Sequence, residues 1–284
     1  MISAVLLLTI AVIDIVIGLV KLRGTRHSSP LPASARWGAI VAVLAVPAAG
    51  WLVAGTPPAW AAVVALCGLA WFWAESRFLG GRGHVAVLTA AILAVPVVAV
   101  MVIVERTTAG GSAAARMFAS DTASAGLPLS LPLAVAGIAA VLILTRTANV
   151  VCRAAFGRTM TTDAPVEVEP PARRWTLALR SREVASLVED TGAEESARDA
   201  PTAPALRGGR VIGPLERLLI VALALVGAEA VIVGLLAAKG IVRFPEISAD
   251  GRRGSKAEEF LIGSLVSWTI AGLMAAYLAV QRIS

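Results

Sequence analysis

Acidic residues inside apolar stretches are the first candidates for chemistry in this sequence. Glu229 lies near the centre of the apolar run Leu218–Ala238, and Asp14 lies within the run Ile2–Val20. A carboxyl group in membrane hydrocarbon is costly, so it faces the bundle interior and marks a functional site by default. Each acid therefore has two interpretations. It handles protons or cations, or it forms an interhelical hydrogen bond that holds the bundle together.

A second set of charged residues flanks the last two apolar runs. Lys239 and Arg243 are four residues apart, so on a helix they share a face and repel each other. The acids that can offset this repulsion are Glu246, Glu258 and Glu259, and we predict that one of them lies within salt-bridge reach of Lys239 or Arg243. The whole set, called here the hairpin charge cluster, comprises Glu216, Arg217, Lys239, Arg243, Glu246 and Glu259.

The last two apolar runs, Leu218–Ala238 and Phe260–Val280, are predicted to pack as an antiparallel hairpin. Small residues recur at every fourth position in both runs, which lets two helix backbones approach closely. If the centres of the two runs lie at the same depth in the membrane, Glu229 lies level with Thr269. Its carboxyl group can accept a hydrogen bond from the Thr269 hydroxyl or the Trp268 indole. Thr269 therefore joins the two acids as a predicted intramembrane polar residue.

The composition places these residues on membrane helices. Hydrophobic residues make up 57% of the chain and charged residues 15%, with a mean hydropathy of +0.80. A soluble domain carries about 25% charged residues and a disordered chain needs low hydrophobicity, so both classes are excluded. Since a spanning helix needs about 20 apolar residues, the sequence predicts an all-α polytopic membrane bundle of about seven transmembrane helices. The runs are Ile2–Val20, Trp37–Gly55, Ala59–Ala74, Val85–Val104, Leu131–Thr145, Leu218–Ala238 and Phe260–Val280.

Three regions follow from these runs. They are a five-helix membrane region at 1–152, a cytoplasmic loop at 153–210 and a two-helix membrane hairpin at 211–284. Lys and Arg collect in cytoplasmic loops, and their distribution predicts an N-terminus outside and a C-terminus in the cytoplasm of a bacterial inner membrane. Basic residues between 239 and 258 lie on the wrong side in this topology. In an alternative topology the sixth run is re-entrant and this segment returns inside.

The cytoplasmic loop contains one segment with a helical pattern. Its flanks are rich in Thr, Glu, Asp, Ala and Pro, a composition typical of disorder. Between them, several apolar residues share one helical face: Leu177, Val184, Leu187 and Val188. This pattern predicts a basic amphipathic helix that binds an anionic membrane surface or a partner helix. Alternatively, it is a short solvated helix in a linker.

Tryptophans lie near the ends of the second and third runs. Trp37 and Trp51 flank the second run, and Trp60, Trp71 and Trp73 bracket the third. Such placement is typical of the aromatic belt at a membrane interface. An aromatic cage for a substrate is the alternative.

The function classes are narrowed mainly by what the sequence lacks. It has no P-loop, HExxH or GxSxG motif, so it predicts no catalytic residue, cofactor or metal site. Its basic excess fits cytoplasmic loops rather than nucleic acid. The preferred class is a membrane-embedded scaffold or regulatory subunit that meets a cytoplasmic partner through 153–210. The alternatives are a small transporter or ion-coupled permease using Glu229 with Lys239 and Arg243, and, least favoured, a membrane enzyme. The sequence sets no oligomeric state.

Three segments near the C-terminus carry a family resemblance. They are GRVIGPLERLLI from Gly209, AAKGIVRFPEI from Ala237 and AEEFLIGSLVS from Ala257. Over about residues 205–270 the chain resembles a family of bacterial integral membrane proteins, a domain of unknown function with IGxLER, AAKxxxRFxEI and AExFLIG motifs. Of a His–Asp–Gln pattern in that family's first helix, only Asp14 has a counterpart here. The resemblance implies a shared helical hairpin and supplies no activity.

Overall fold

The computed structural model describes residues 1–23, 33–79, 83–107, 113–124, 129–156, 174–179, 182–188, 209–249 and 255–283. The chain divides into two units. The larger unit comprises Met1–Thr159 and Arg210–Ser284, and the smaller unit comprises Met160–Gly209.

The larger unit is built from helices. They are α1 Ile2–Arg23, α2 Ala33–Ala54, α3 Pro58–Leu79, α4 His84–Thr107, α5 Ala113–Ser124, α6 Leu131–Leu142, a π-helical segment Ile143–Thr147, α7 Ala148–Phe156, α8 Gly209–Leu225, α9 Glu229–Ala249 and α10 Ser255–Arg282. In the described part of the chain, six helical stretches are long and apolar enough to cross a membrane: Ile2–Leu19, Ala33–Val53, Pro58–Leu79, His84–Thr107, Leu131–Phe156 and Phe260–Arg282. The predicted all-α polytopic bundle is confirmed.

Helix α1 lies at the centre of the bundle. It packs against α2, α3 and α6, and most of its side chains are buried. A helix that is apolar all round is expected to be buried in this way. The outer helices expose large apolar side chains such as Trp37, Leu52 and Ile92, as expected where lipid replaces water around a bundle.

The sixth predicted span is broken in its middle. Helix α8 ends at Leu225, and Gly227 follows with a φ of 73°. The Ala228 N–H bonds the Leu223 carbonyl at 2.9 Å, and the Gly227 N–H bonds the Ala224 carbonyl at 3.2 Å. These two bonds form a Schellman motif, which ends a helix at a glycine in the left-handed region. The prediction of one continuous span at Leu218–Ala238 is therefore wrong.

Helices α8 and α9 form a hairpin that returns to the end of the bundle where it began. Lys239 of α9 is ion-paired with Glu216 of α8 at 2.7 Å, so the two helices run antiparallel. At the turn, the Arg282 guanidinium at the end of α10 donates to the Leu225 carbonyl at 3.4 Å. The hairpin thus brings Arg243 back toward the bundle end from which α8 starts, as the re-entrant alternative expects for the segment after the sixth run.

The smaller unit contains a β-hairpin where a helix was expected. Strand β1, Arg174–Leu179, pairs antiparallel with β2, Arg182–Val188, with an irregularity between Leu177 and Ala178. The amphipathic-helix prediction for this segment is wrong. Polar and apolar residues alternate from Arg174 to Leu177, and this period of two is the pattern of a strand.

Candidate functional site in the bundle interior

The main candidate site surrounds Asp14 on α1. Asp14 is 2% exposed, and its Oδ1 accepts a hydrogen bond of 2.7 Å from the Trp71 indole of α3. Arg146 of the π-helical segment donates to the Asp14 backbone carbonyl at 3.4 Å. The structure thus places the predicted residue Asp14 among three elements. Trp71, which was predicted to lie in an interfacial belt, is buried instead.

Glu75 adds a second acid to the same site. It lies four residues after Trp71 on α3, so both side chains leave one face of the helix, and it is 3% exposed. Its side chain lies within hydrogen-bonding reach of the Asp14 carboxyl group. Two carboxyl groups in contact cannot both be ionised without strong repulsion in a low-dielectric interior. The Asp14–Glu75 pair is therefore suited to share one proton or to hold one cation.

Thr147 brings a hydroxyl group to the Asp14–Glu75 pair. Its side chain lies beside the Asp14 carboxyl and is 6% exposed. A hydroxyl group beside a buried carboxylate can donate a hydrogen bond to it, which lowers the cost of burying that charge. The Thr147 hydroxyl therefore supports Asp14 as a third polar group of the site.

The π-helical segment presents Arg146 and Thr147 to α1. The Ala148 N–H bonds the Ile143 carbonyl, five residues back, rather than the carbonyl of Leu144 that an α-helix would use. Single π-helical turns are rare and often occur at functional sites. Gly18, one turn after Asp14, provides the room, because a Cβ at Gly18 would lie 1.1 Å from Arg146 Nη2.

Arg217 forms a second buried site at the same segment. It is 2% exposed, and its Nε donates at 2.8 Å to the Leu144 carbonyl, which the π-helical pattern relieves of its α-helical donor. Its Nη1 donates to Ser267 Oγ at 3.2 Å, and its Nη2 donates to Asn149 Oδ1. The planar guanidinium thus ties α8 to the π-helical segment, α7 and α10, which is a role that suits its fixed fork of donors.

Glu216, next to Arg217, organises the hairpin charge cluster. Lys239 Nζ lies 2.9 and 2.7 Å from its two oxygens, and the Trp268 indole donates to its Oε1 at 2.9 Å. The ammonium also lies 5.4 Å from the centre of the Trp268 ring. Among the residues that the structure describes, the acid that pairs with Lys239 is therefore Glu216. It was not one of the three predicted partners, Glu246, Glu258 and Glu259.

The rest of the predicted charge cluster is less closely assembled. Arg243 is exposed on α9, and Glu258 is exposed on α10. The side chains of Glu246 and Glu259 lie outside the described residues. Pairing of these two acids with Arg243 therefore stays a prediction.

Glu229 and Thr269 do not form the predicted intramembrane site. Glu229 begins α9 and is exposed, and Thr269 is exposed on α10. In the described part of the chain no hydrogen bond joins them, and the Trp268 indole bonds Glu216 instead. The cause is the break at Gly227, which puts Glu229 at a helix N-terminus. A negative charge is favourable there because of the helix dipole.

A third polar cluster brings the two ends of the chain together. The Met1 amino group lies 2.8 Å from Glu105 Oε2, and Ser3 Oγ donates to the same oxygen at 3.1 Å. Ser3 Oγ also lies 3.1 Å from the Tyr277 hydroxyl and from the Gln281 side-chain nitrogen. Both termini therefore lie at one end of the bundle. This arrangement differs from the predicted placement of the termini on opposite sides, because α8 and α9 form a hairpin where a single crossing was predicted.

A cavity of about 420 Å³ extends between the site around Asp14 and the polar cluster that contains Ser3 and Tyr277. Trp71 and Thr147, which both touch Asp14, line one part of it, and Tyr277 lines another. The remaining wall is almost wholly apolar and comes from α1, α4, the π-helical segment, α7 and α10. An apolar chamber with a few convergent polar groups has the character of a small-molecule site.

Sequence reasoning missed Glu75, Arg146 and Thr147. Glu75 and Arg146 were assigned to loops because each follows a long apolar run. In both places the helix continues beyond the charge, to Leu79 in α3 and to Phe156 in α7. For Arg146, the sequence signal that the helix continues was the pair of apolar residues that follows it, Val150 and Val151.

No family model, curated protein or solved structure matches this chain. The family resemblance over residues 205–270 therefore stays a prediction. Residues from its three segments do meet in space, since Arg217 bonds Ser267 and Glu216 pairs with Lys239.

Proposed function

We propose that this chain is a small ion-coupled permease and that the Asp14–Glu75 pair binds the coupling proton or cation. The observation that carries the proposal is two buried carboxyl groups, Asp14 and Glu75, within hydrogen-bonding reach of each other. Among the function classes compatible with the sequence, this is the transporter class. Its coupling site lies at the Asp14–Glu75 pair rather than at Glu229.

The energetics of the pair support a role in charge handling. One indole-to-carboxylate bond, from Trp71 to Asp14, already provides an interhelical link. A second acid adds desolvation and repulsion that a purely structural contact does not need. Ionisable groups kept at such cost within membrane helices mark proton relays and ion pathways.

The proposed orientation places both termini outside a bacterial inner membrane. The bundle end opposite the termini gathers most of the described basic residues of the larger unit: Lys21, Arg23, Arg36, Arg77, Arg146, Arg153, Arg210, Arg217, Lys239, Arg243 and Lys256. The end with the termini has Arg106, Arg116 and Arg282. Because Lys and Arg favour cytoplasmic loops, the basic end faces the cytoplasm. If the sixth run crossed the membrane once, the bases that follow it, such as Arg243, would lie on the side opposite the other basic residues. The α8–α9 hairpin instead returns the chain to the basic end.

Cysteine labelling tests this orientation. In a background without Cys67 and Cys152, Ile283→Cys should react with a membrane-impermeant maleimide in intact cells. Ser34→Cys, exposed at the opposite end of the bundle, should react only after permeabilisation. The reverse pattern would invert the orientation.

Transport is tested in proteoliposomes with an imposed pH gradient and an entrapped pH-sensitive dye. Alkali cations, amines, amino acids, sugars and organic acids are added one class at a time. At least one class should dissipate the gradient through the wild-type protein. Asp14→Asn and Glu75→Gln should abolish that signal, because each removes a charge from the pair while keeping its shape.

Asp121→Asn is the matched control. Asp121 is an exposed acid on α5, and its substitution should leave the signal unchanged. The proposal fails if no solute class moves protons through the wild-type protein. It also fails if a correctly folded Asp14→Asn protein works as well as wild type.

A further inference from the structure

We infer that the 420 Å³ cavity holds one acyl chain of an anionic phospholipid from the membrane leaflet on the side of the termini. This inference goes beyond the proposed function and does not depend on it, because neither Asp14 nor Glu75 lines the cavity. It follows from the length and width of the cavity, from the side to which it opens and from the charge at its end.

The cavity is a long groove between α4 and α10, called here the α4–α10 groove. Its lining residues recur every three or four positions from Ala91 to Ile103 on α4 and from Ile270 to Val280 on α10, so each set follows one face of its helix. At a rise of 1.5 Å per residue, these faces are about 15–18 Å long. The hydrocarbon core of a bilayer is about 30 Å thick. The α4–α10 groove therefore has about the depth of one leaflet.

The groove lies in the half of the bundle nearest the termini. Ile103 and Val280 line its outer end and lie close to the last residues of α4 and α10. Tyr277 also lines the groove, and its hydroxyl lies 3.1 Å from Ser3 Oγ in the polar cluster at the termini. The inner end, at Ile270, lies near the middle of the span Phe260–Arg282. A lipid chain from the leaflet at the termini would therefore fill the groove and end near the midplane.

The groove opens sideways to the bilayer. Val95 of α4 and Leu273 of α10 line it and are also exposed on the bundle surface. Its floor consists of buried apolar side chains such as Ile10 of α1 and Val151 of α7. A polar body would leave its hydrogen-bonding groups unpaired against such walls. An acyl chain can enter through the side without leaving hydrocarbon.

The width of the groove favours a single chain over a helix of a partner protein. Spread over the length of the lining faces, the volume of 420 Å³ corresponds to a mean cross-section of about 25 Å². A helix with its side chains is about 10 Å across and occupies about 80 Å². A partner helix therefore does not fit into the groove, whereas one extended hydrocarbon chain does.

The outer end of the groove carries the positive charge of Arg106. This residue lies one turn after the last lining residue of α4, is exposed, and donates to the Val280 carbonyl of α10 at 3.1 Å. Its guanidinium therefore lies where the headgroup of a lipid in the groove would be. The neighbouring acid, Glu105, is ion-paired with the Met1 amino group at 2.8 Å, so that pair is neutral. A basic residue at the membrane surface attracts anionic lipid, which selects an anionic headgroup over a zwitterionic one.

Photo-crosslinking of the full chain in phosphatidylcholine nanodiscs tests the groove. The probe is a minor fraction of phosphatidylglycerol with a diazirine at a defined position in one acyl chain, and mass spectrometry identifies the labelled residues. Met274 and Val151 line the groove and are buried, so lipid that only coats the bundle does not reach them. A diazirine at mid-chain should label Met274. Moving it to the chain end should shift the label to Val151, and moving it toward the headgroup should shift the label to Tyr277.

Steric variants test whether the label arises inside the groove. Ala94 and Ala99 line it on α4, so Ala94→Phe and Ala99→Phe should each abolish labelling of Met274. Ile92 on the same helix is exposed and is not a lining residue, so Ile92→Phe should be labelled like wild type. Thermal unfolding establishes that the variants are folded.

A charge variant tests the headgroup. With the same chain on phosphatidylglycerol and on phosphatidylcholine, the anionic probe should label Met274 about fivefold more, which is the effect of one basic residue near a membrane surface. Arg106→Gln should bring the ratio of the two probes close to one. Arg116 is an exposed base on α5, and Arg116→Gln should leave the ratio unchanged.

The outcomes are independent of transport. Label confined to outward-facing residues overturns the inference, as does unchanged labelling of Met274 in folded Ala94→Phe and Ala99→Phe. Equal labelling of the wild-type protein by the two headgroups overturns the choice of an anionic lipid. Because the assay reads lipid position and no proton movement, a failure of the permease proposal does not affect this result.

Discussion

Replacing Gly18 by alanine tests whether Arg146 is held against Asp14 by the close approach of α1 and the π-helical segment. A Cβ at Gly18 would lie 1.1 Å from Arg146 Nη2. Ordinary contact begins near 3.4 Å, so the guanidinium must move by about 2 Å. That movement breaks its hydrogen bond of 3.4 Å to the Asp14 carbonyl and carries its positive charge away from the Asp14–Glu75 pair.

The expected change in stability combines two opposing effects. Interhelical hydrogen bonds in membranes contribute about 0.6 kcal/mol on average and at most about 1.7 kcal/mol. Glycine-to-alanine substitution inside a helix gains about 0.5–1 kcal/mol. Gly18→Ala should therefore be nearly neutral. Gly137→Ala, in α6 where no atom lies within 4 Å of the added Cβ, should be stabilising. The two variants should differ by about 1 kcal/mol in free energy of unfolding.

A double-mutant cycle isolates the cause. Unfolding is followed by tryptophan fluorescence in mixed dodecylmaltoside and SDS micelles, for Gly18→Ala in the wild-type and Arg146→Ala backgrounds. Without the guanidinium, Gly18→Ala should gain about 0.5–1 kcal/mol, as Gly137→Ala does. The reasoning is refuted if Gly18→Ala matches Gly137→Ala in the wild-type background, or if its penalty persists without Arg146.

Three further substitutions probe the other contacts. Trp71→Phe should lower the free energy of unfolding by about 1 kcal/mol, because it removes the indole donor to the buried carboxyl group; an unchanged unfolding curve would contradict that bond. Gly227→Ala should cost about 1–2 kcal/mol, since φ there is 73°, whereas Gly234→Ala should be neutral or stabilising. Arg217→Lys should destabilise by about 1–3 kcal/mol in the same assay, because a single ammonium nitrogen cannot replace three separate guanidinium donors; equal stability would exclude a structural role for the fork.

The bundle could be predicted from hydropathy because lipid imposes the same demand on every spanning helix. Each must present apolar side chains over about 20 residues, and this pattern is local in the sequence. The break at Gly227 was hidden by the same pattern, since Leu218–Ala238 is apolar throughout. Hydropathy measures side chains, whereas the helix ends there because the backbone of one glycine adopts a positive φ.

The candidate site was predicted in part because only one of its residues stands out locally. Asp14 is a charge within an apolar run, and that alone identified it. Glu75 and Arg146 come together with it from positions 61 and 132 residues away along the chain. Nothing in a single sequence reports that proximity. Glu229 stood out by the same criterion as Asp14, but its charge lies at a helix N-terminus rather than inside a span.

The π-helical segment explains why the burial of Arg217 was not predicted, although Arg217 was assigned to the hairpin charge cluster. A buried guanidinium needs several acceptors, and the nearby side chains offer few: Asn149 and Ser267. The additional acceptor is the Leu144 carbonyl, which an α-helix would have bonded to Ala148. A sequence lists side chains, and it does not show which backbone carbonyls are released by a change in helical register. The same five residues bring Thr147 to Asp14, so one backbone irregularity organises both buried sites, and neither follows from hydropathy.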